Sequence, residues 1–247
     1  LGHSRSTRAR HLSSIKQFFK FCIEAGFLII DPSSQLSGPK LPKPLPKTLT
    51  LEEVDSLLKV ARTQGHTEFE RARNKCLMEV LYASGMRITE LMSLPVASAR
   101  GRPKMILIKG KGSKERLVPL SPPAIEALEH WLKLRDKKED LSLKLGLKRS
   151  SFLFPSNSKN GYLTRNWFFN KIKSWAIEAG VKSENVSPHT IRHAFATHLL
   201  SNGADLRVIQ TLLGHSDITT TEIYTHIVNE KLKSTLEEHH PLSIKSK

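Results

Sequence analysis

Cysteine is scarce in this 247-residue chain, which has only Cys22 and Cys76. Two thiols in separate helical patterns exclude a disulfide framework and a cysteine-built zinc site. They read as buried thiols of a reducing cytosol. Long apolar runs are missing as well. No stretch approaches the roughly 20 apolar residues of a membrane span, and no signal-peptide pattern opens the chain. The first residue is Leu1, not methionine, so the chain is read as starting inside a longer protein. No internal repeat is visible. Acids are in short supply: 23 Asp and Glu stand against 39 Lys and Arg, a formal charge of +16. The basic residues run from Arg5 to Lys247, so no detachable tail holds the charge. A folded basic chain without a membrane signature points to nucleic acid, whose phosphates supply the complementary field. Charge by itself does not separate an enzyme from a passive binder.

What is present is mostly helical pattern. Residues 6–27 space Leu12, Ile15, Phe18, Phe19 and Cys22 at helical intervals, and Gly26 stops the run. Next comes DPSSQLSGPKLPKPLPKTLT, where Pro32, Pro39, Pro42, Pro44 and Pro46 forbid a helix and favour an extended tether. Lys40, Lys43 and Lys47 make that tether a basic strap between two bodies. Thr50 and Glu53 form a capping-box signature for the next helix. Further helices are expected through RARNKCLMEVLYASG to Gly85, over ITELMSL, over SPPAIEALEHWLKLRDKKED, and over LTRNWFFNKIKSWAIEAG. The one convincing strand pair is Met105–Ile108 with Arg116–Leu120, around a glycine-bearing tip. The expected class is mainly α with a small antiparallel sheet.

The chemistry concentrates in SPHTIRHAFATHLL, residues 187–200. Ser187 is a good N-cap and Pro188 suits the first helical position, so the positive end of the helix sits beside His189. At about 100° per residue, His189, Arg192 and His193 share a face, Ile191, Phe195 and Leu199 form the core stripe, and His198 falls almost opposite His189. The His189–His193 spacing is that of a helical zinc pair, but Thr190 stands where a hydrolytic zinc helix has Glu, and Arg192 repels a cation. His-x-x-Arg at a helix start suits a phosphate: a fixed guanidinium fork beside an imidazole.

Downstream, a helix over Leu206–Leu213 stops at Gly214 and is followed by His215, and a new helix carries Tyr224. A phenol has a pKa of about 10 and serves as a nucleophile only in a cationic pocket with a base nearby. Upstream, Arg87 follows the Gly85 break, with Glu90 three residues on. The hairpin carries Lys109, Lys111 and Lys114, with Gly110 and Gly112 bracketing Lys111. It is no P-loop, because Gly112 stands where Ser or Thr follows the lysine. A tip lysine is able to approach a backbone oxygen and give up a proton. Each feature alone has an ordinary reading as a solvated turn, a helix stop or a half-buried aromatic.

Together they resemble the tyrosine recombinases, the phage integrase family. Arg87, the glycine-flanked Lys111, His-x-x-Arg, LLGHSDITTT, a Tyr nine residues after that His, and the closing EEHHP carry the likeness, from about Arg5 to Pro241. GKGSKERLVPL is similar to the chromosomal branch of the family in bacteria.

The resemblance implies a fold, a site and partners. Residues 1–38 would be the C-terminal part of a helical core-binding domain, truncated at its start. Residues 39–48 would be the linker, and 49–247 the catalytic domain with a C-terminal exchange helix at about 229–240 that docks into a neighbouring protomer. Tyr224 would attack the scissile phosphate to form a 3′-phosphotyrosine, and Arg87 and Arg192 would clamp its oxygens. Lys111 would protonate the leaving 5′-oxygen, His189 would handle the tyrosine proton, and His215 would hydrogen-bond the phosphate. Glu90 would support the site. Lys40, Lys43, Lys47, Lys109, Lys114 and Arg116 are read as DNA contacts. No metal or other cofactor is implied. The implied setting is the bacterial cytoplasm and nucleoid, with double-stranded DNA bearing a dif-type site, a XerC-like recombinase in a heterotetramer and an FtsK-like translocase. Chromosome dimers would be resolved there before division. An integrase of a phage or mobile element, or a DNA-binding protein left without cleavage activity by the N-terminal truncation, are the alternatives.

Overall fold

The computed structural model describes residues 2–39, 48–110, 115–214, 235 and 238–241. The chain divides into two compact units, Leu1–Pro46 and Lys47–Lys247. In the first, helix α1 spans Arg5–Glu24. Ser4 caps it by accepting from the Thr7 amide at 3.2 Å, and Gly26 takes a left-handed φ of 75° just beyond its end.

In the second unit α2 (Leu51–Thr63) starts where expected. Glu53 N–H donates to the Thr50 hydroxyl at 3.2 Å and Thr50 N–H donates to the Glu53 carboxylate at 2.9 Å, so two orphan donors are satisfied reciprocally. Helix α3 (Glu68–Ser84) is the central element: every residue from Cys76 to Ser84 is buried. It packs against α2, against α5 (Pro122–Lys144) and against α7 (Pro188–Ser201). A helix apolar on nearly all sides is stable only when enclosed. Gly85 ends it in the left-handed region, φ 57°, and a Cβ there would meet the Phe195 ring at 2.3 Å. Only glycine fits, for backbone and packing reasons together.

Helix α4 (Ile88–Met92) follows at once, then strands β1 (Met105–Lys109) and β2 (Glu115–Pro119) pair antiparallel in a two-stranded sheet. Helix α6 (Arg165–Glu178) begins after the cap Thr164, and α8 (Leu206–Leu213) runs from the cap Asp205 to Gly214. Two short 3-10 turns, Val96–Ala99 and Ser183–Asn185, have no sequence period long enough to show them. Trp131, Trp175, Phe154, Phe168 and Phe195 fill one continuous core among these elements. Cys76 lies in that core, where burial pushes its thiol well up. Among the described residues no helix is long and apolar enough to cross a membrane.

Candidate active site

Ser187 opens α7 as its sequence predicts. Its hydroxyl accepts from the Thr190 amide at 3.1 Å, and its own amide donates to the Thr190 hydroxyl at 2.7 Å. This fixes the helix start and leaves His189 and His193 exposed while Ile191, Phe195 and Leu199 are buried. His198 points the other way, into the core. Its Nε2 donates to the Leu49 carbonyl at 2.9 Å, so its Nδ1 accepts from the Tyr82 hydroxyl at 2.9 Å.

One turn into α7, Arg192 spans two loops. Nη1 donates to the Gly85 carbonyl at 2.7 Å and Nη2 to the Leu213 carbonyl at 2.6 Å. Both carbonyls lie at helix C-terminal ends, where a cation is favoured. Burial, and then the nearby Arg87 and Arg116 charges, pull the Arg192 guanidinium down to about 10, with Glu90 opposing.

Glu90 is the hub. Its Oε1 accepts from Arg87 Nη1 at 3.0 Å and from Arg116 Nη1 at 3.1 Å; its Oε2 accepts from the Arg87 amide at 2.8 Å and from Arg116 Nη2 at 2.7 Å. Burial works to raise this carboxyl, but the hydrogen bonds and charges of Arg116 and Arg87 outweigh it and hold it below its ordinary range. Arg87 keeps 43% of its side chain exposed. Arg87, Arg165, Asn166, Phe169, His189 and Arg192 line one cleft of about 410 Å³. Its rim is strongly cationic, as an anion site requires.

Of the residues singled out in the sequence, Arg87, Glu90, His189 and Arg192 thus come together. Lys109 is exposed and pairs with Glu115 at 3.2 Å. Lys40, Lys43, Lys47, Lys111, Lys114, His215 and Tyr224 lie outside the described residues. So does most of the stretch 229–240; of it, the His239 carbonyl accepts from Asn202 Nδ2 at 2.6 Å and His240 packs on Tyr82 and Phe195 of its own unit.

Arg116 departs from expectation. Its side chain turns inward: only 12% of it is exposed, and Nε donates to the Leu212 carbonyl at 3.1 Å. The pleat explains this. Arg116 faces Ile108 across the ladder and shares a strand face with Val118, both Ile108 and Val118 being buried. That alternation was the available signal. Arg165 and Asn166 were also missed; a cation in the first turn of α6, set against the helix dipole, was the cue. Among the described residues no three His, Cys, Asp or Glu gather as a metal would need.

The phage integrase family pattern matches residues 47–231. The chain belongs to that family, the tyrosine recombinases, and is therefore an enzyme that cuts and rejoins DNA. Within the family it is a XerD-like site-specific recombinase. It is 45% identical to Tyrosine recombinase XerD of Brucella suis biovar 1 (strain 1330), over 98% of this chain and 78% of that protein. Among solved structures, XerA recombinase aligns with a TM-score of 0.57 at 26% identity, covering 97% of this chain and 77% of that one. XerH site-specific recombinase, bound to its difH substrate before cleavage, aligns with a TM-score of 0.58 at 29% identity, over 82% of this chain and 53% of XerH.

Proposed function

We propose that this enzyme resolves chromosome dimers at a dif-type site on double-stranded DNA during cell division, working beside the nucleoid. It acts in a heterotetramer with a XerC-like recombinase and is switched on by an FtsK-like translocase. In this reading residues 1–38 belong to a core-binding domain, 39–48 form a linker, and 49–247 form the catalytic domain, with 229–240 exchanged between protomers. The observation that carries the chemistry is the meeting of Arg87, His189 and Arg192 on one cleft, with Glu90 holding Arg87.

The mechanism follows from that charge distribution. A scissile phosphate in the cleft places its non-bridging oxygens against Arg87 and Arg192, which stabilise the extra negative charge of the pentacoordinate transition state. Tyr224 attacks phosphorus as its proton passes to His189. The 5′-oxygen leaves with a proton from Lys111, and His215 hydrogen-bonds the phosphate. The phosphotyrosine conserves the energy of the broken bond, and the reverse attack by a 5′-hydroxyl rejoins the strand. Lys40, Lys43, Lys47, Lys109 and Lys114 contribute to backbone attraction. The identity with XerD proteins supports the chromosomal role.

The test is covalent trapping on a nicked dif-type duplex in EDTA. Wild type is expected to yield an SDS-resistant protein–DNA adduct. Tyr224→Phe is expected to bind the duplex with unchanged affinity and to yield none. Absence of an adduct with wild type, on dif-type and unrelated duplexes alike, overturns the catalytic reading. Cleavage only of a mobile-element end overturns the chromosomal one.

A further inference from the structure

The hydrogen bonds of Arg116 exceed what a hairpin residue needs for folding its own hairpin. Its guanidinium makes a two-pronged contact with Glu90, 26 positions away in sequence, and its Nε holds the Leu212 carbonyl, 96 positions away. β2 is thereby fastened both to the start of α4 and to the end of α8. We propose that Arg116 is a positioning residue for DNA strand cleavage: it aims the two arginines of the phosphate clamp. This rests on the reading of Arg87 and Arg192 as that clamp.

The first route runs through Glu90. With both prongs of Arg116 in place, the carboxylate has one hydrogen bond left on each oxygen, and Arg87 supplies both, through Nη1 and its amide. A carboxylate held at four points cannot rotate, so the Arg87 side chain that it grips has one direction, toward the cleft. Bidentate guanidinium–carboxylate pairs fix geometry as well as energy.

The second route runs through α8. Its last two carbonyls are each taken by an arginine, Leu212 by Arg116 and Leu213 by Arg192. Arg192 leans on the end of α8, and Arg116 braces that end beside the buried Leu212 and Leu213. The chain then turns at Gly214, φ 66°, where a Cβ would lie 3.1 Å from the Arg116 guanidinium. The guanidinium is packed against the turn that precedes His215 in the chain. All three Arg116 nitrogens donate inward, to a carboxylate and a backbone carbonyl, and only 12% of the side chain is exposed, which suits a brace better than a phosphate contact.

The experiment compares wild type, Arg116→Met and Arg116→Lys on the nicked duplex, measuring DNA affinity against salt and the single-turnover rate of adduct formation. A positioning role predicts that Arg116→Met keeps the affinity and the salt slope, while cleavage falls about 100-fold, the size of a small misplacement of reacting groups. Arg116→Lys, which keeps the charge but one prong only, is expected to recover part of that loss. A phosphate contact instead predicts weaker binding and a salt slope reduced by about 1, and that result overturns the proposal.

A second substrate separates aiming of the clamp from general loosening. In a methylphosphonate duplex one non-bridging oxygen is replaced by methyl, so the reacting group is neutral and asks less of the clamp. There the Arg116→Met deficit is expected to shrink to a few-fold. An equal deficit on both substrates means a merely structural role and overturns the proposal. If Arg116→Met does not fold, Arg116→Lys carries the same comparison with a smaller deficit. Wild type forming no adduct defeats the catalytic reading itself; wild type and Arg116→Met forming adduct at equal rates defeats only the proposal.

Discussion

Helix α7 contributes to two polar clusters, Arg192 to one with α4 and β2 and His198 to one with α3, and the two are held in opposite ways. At the cleft, Arg87, Arg116 and Arg192 surround Glu90: three positive charges and one negative leave the cluster at +2. In the core, Tyr82, His198 and His240 meet with no charge at neutral pH, because burial pushes the phenol up and both imidazoles down. The core cluster is closed: Tyr82 donates to His198, His198 donates to Leu49, and His240 donates to the Tyr82 carbonyl at 3.3 Å. The cleft cluster is unbalanced in charge, and an oligoanion restores the balance. A buried polar group is stable when neutral and satisfied, whereas a half-open one can keep excess charge that water screens until a ligand replaces it.

That contrast can be broken from either side. The largest expected effect is on chemistry. Arg192→Lys replaces a fork that reaches two loops with a point charge, and cleavage should fall about 100- to 1,000-fold, as for loss of a preorganised donor at developing charge. DNA affinity should stay within a few-fold. Normal cleavage by Arg192→Lys in a single-turnover assay removes Arg192 from the clamp.

The next effect is on stability and belongs to the core cluster. His240 is lowered from 6.5 to about 4, chiefly by burial and also by His198, with the Tyr82 carbonyl opposing. The unfolded chain therefore binds a proton between those values that the folded chain refuses. Stability should be intact above pH 6.5, fall as pH drops, and level off near pH 4, by on the order of 3 kcal/mol in all. His198, shifted in the same direction, adds to the slope. His240→Phe should flatten the curve in denaturant titrations; an unchanged slope would show that His240 does not ionise on unfolding.

The smallest effect sharpens the same point. Tyr82→Phe leaves His198 Nδ1 without its donor, which should cost about 1–2 kcal/mol with the cleavage rate unchanged. A loss of cleavage equal to that of Arg192→Lys would mean that the two clusters are one unit.

Local chemistry explains which of these features could be read in advance. The Thr50–Glu53 box, the Ser187 cap, and the stops at Gly85 and Gly214 each depend on residues a few positions apart, and each forms as the local sequence predicts. The face shared by His189 and Arg192 follows from the helical period alone. The partners of Arg192 did not follow, since Gly85 is 107 positions away and Leu213 is 21. Arg116 looked like one more cation of a basic hairpin, although strand alternation already pointed it inward.

By itself, then, the sequence determined where helices begin and end, which face of α7 presents His189 and Arg192, and an excess of positive charge. Short-range hydrogen bonding and side-chain periodicity suffice for all three. The tertiary structure alone decided that Arg116 belongs to Glu90 and to the end of α8, that Arg192 rests on two carbonyls, and that His240 is buried against Tyr82. Those pairings join residues distant along the chain, and packing of the core is what sets such distances.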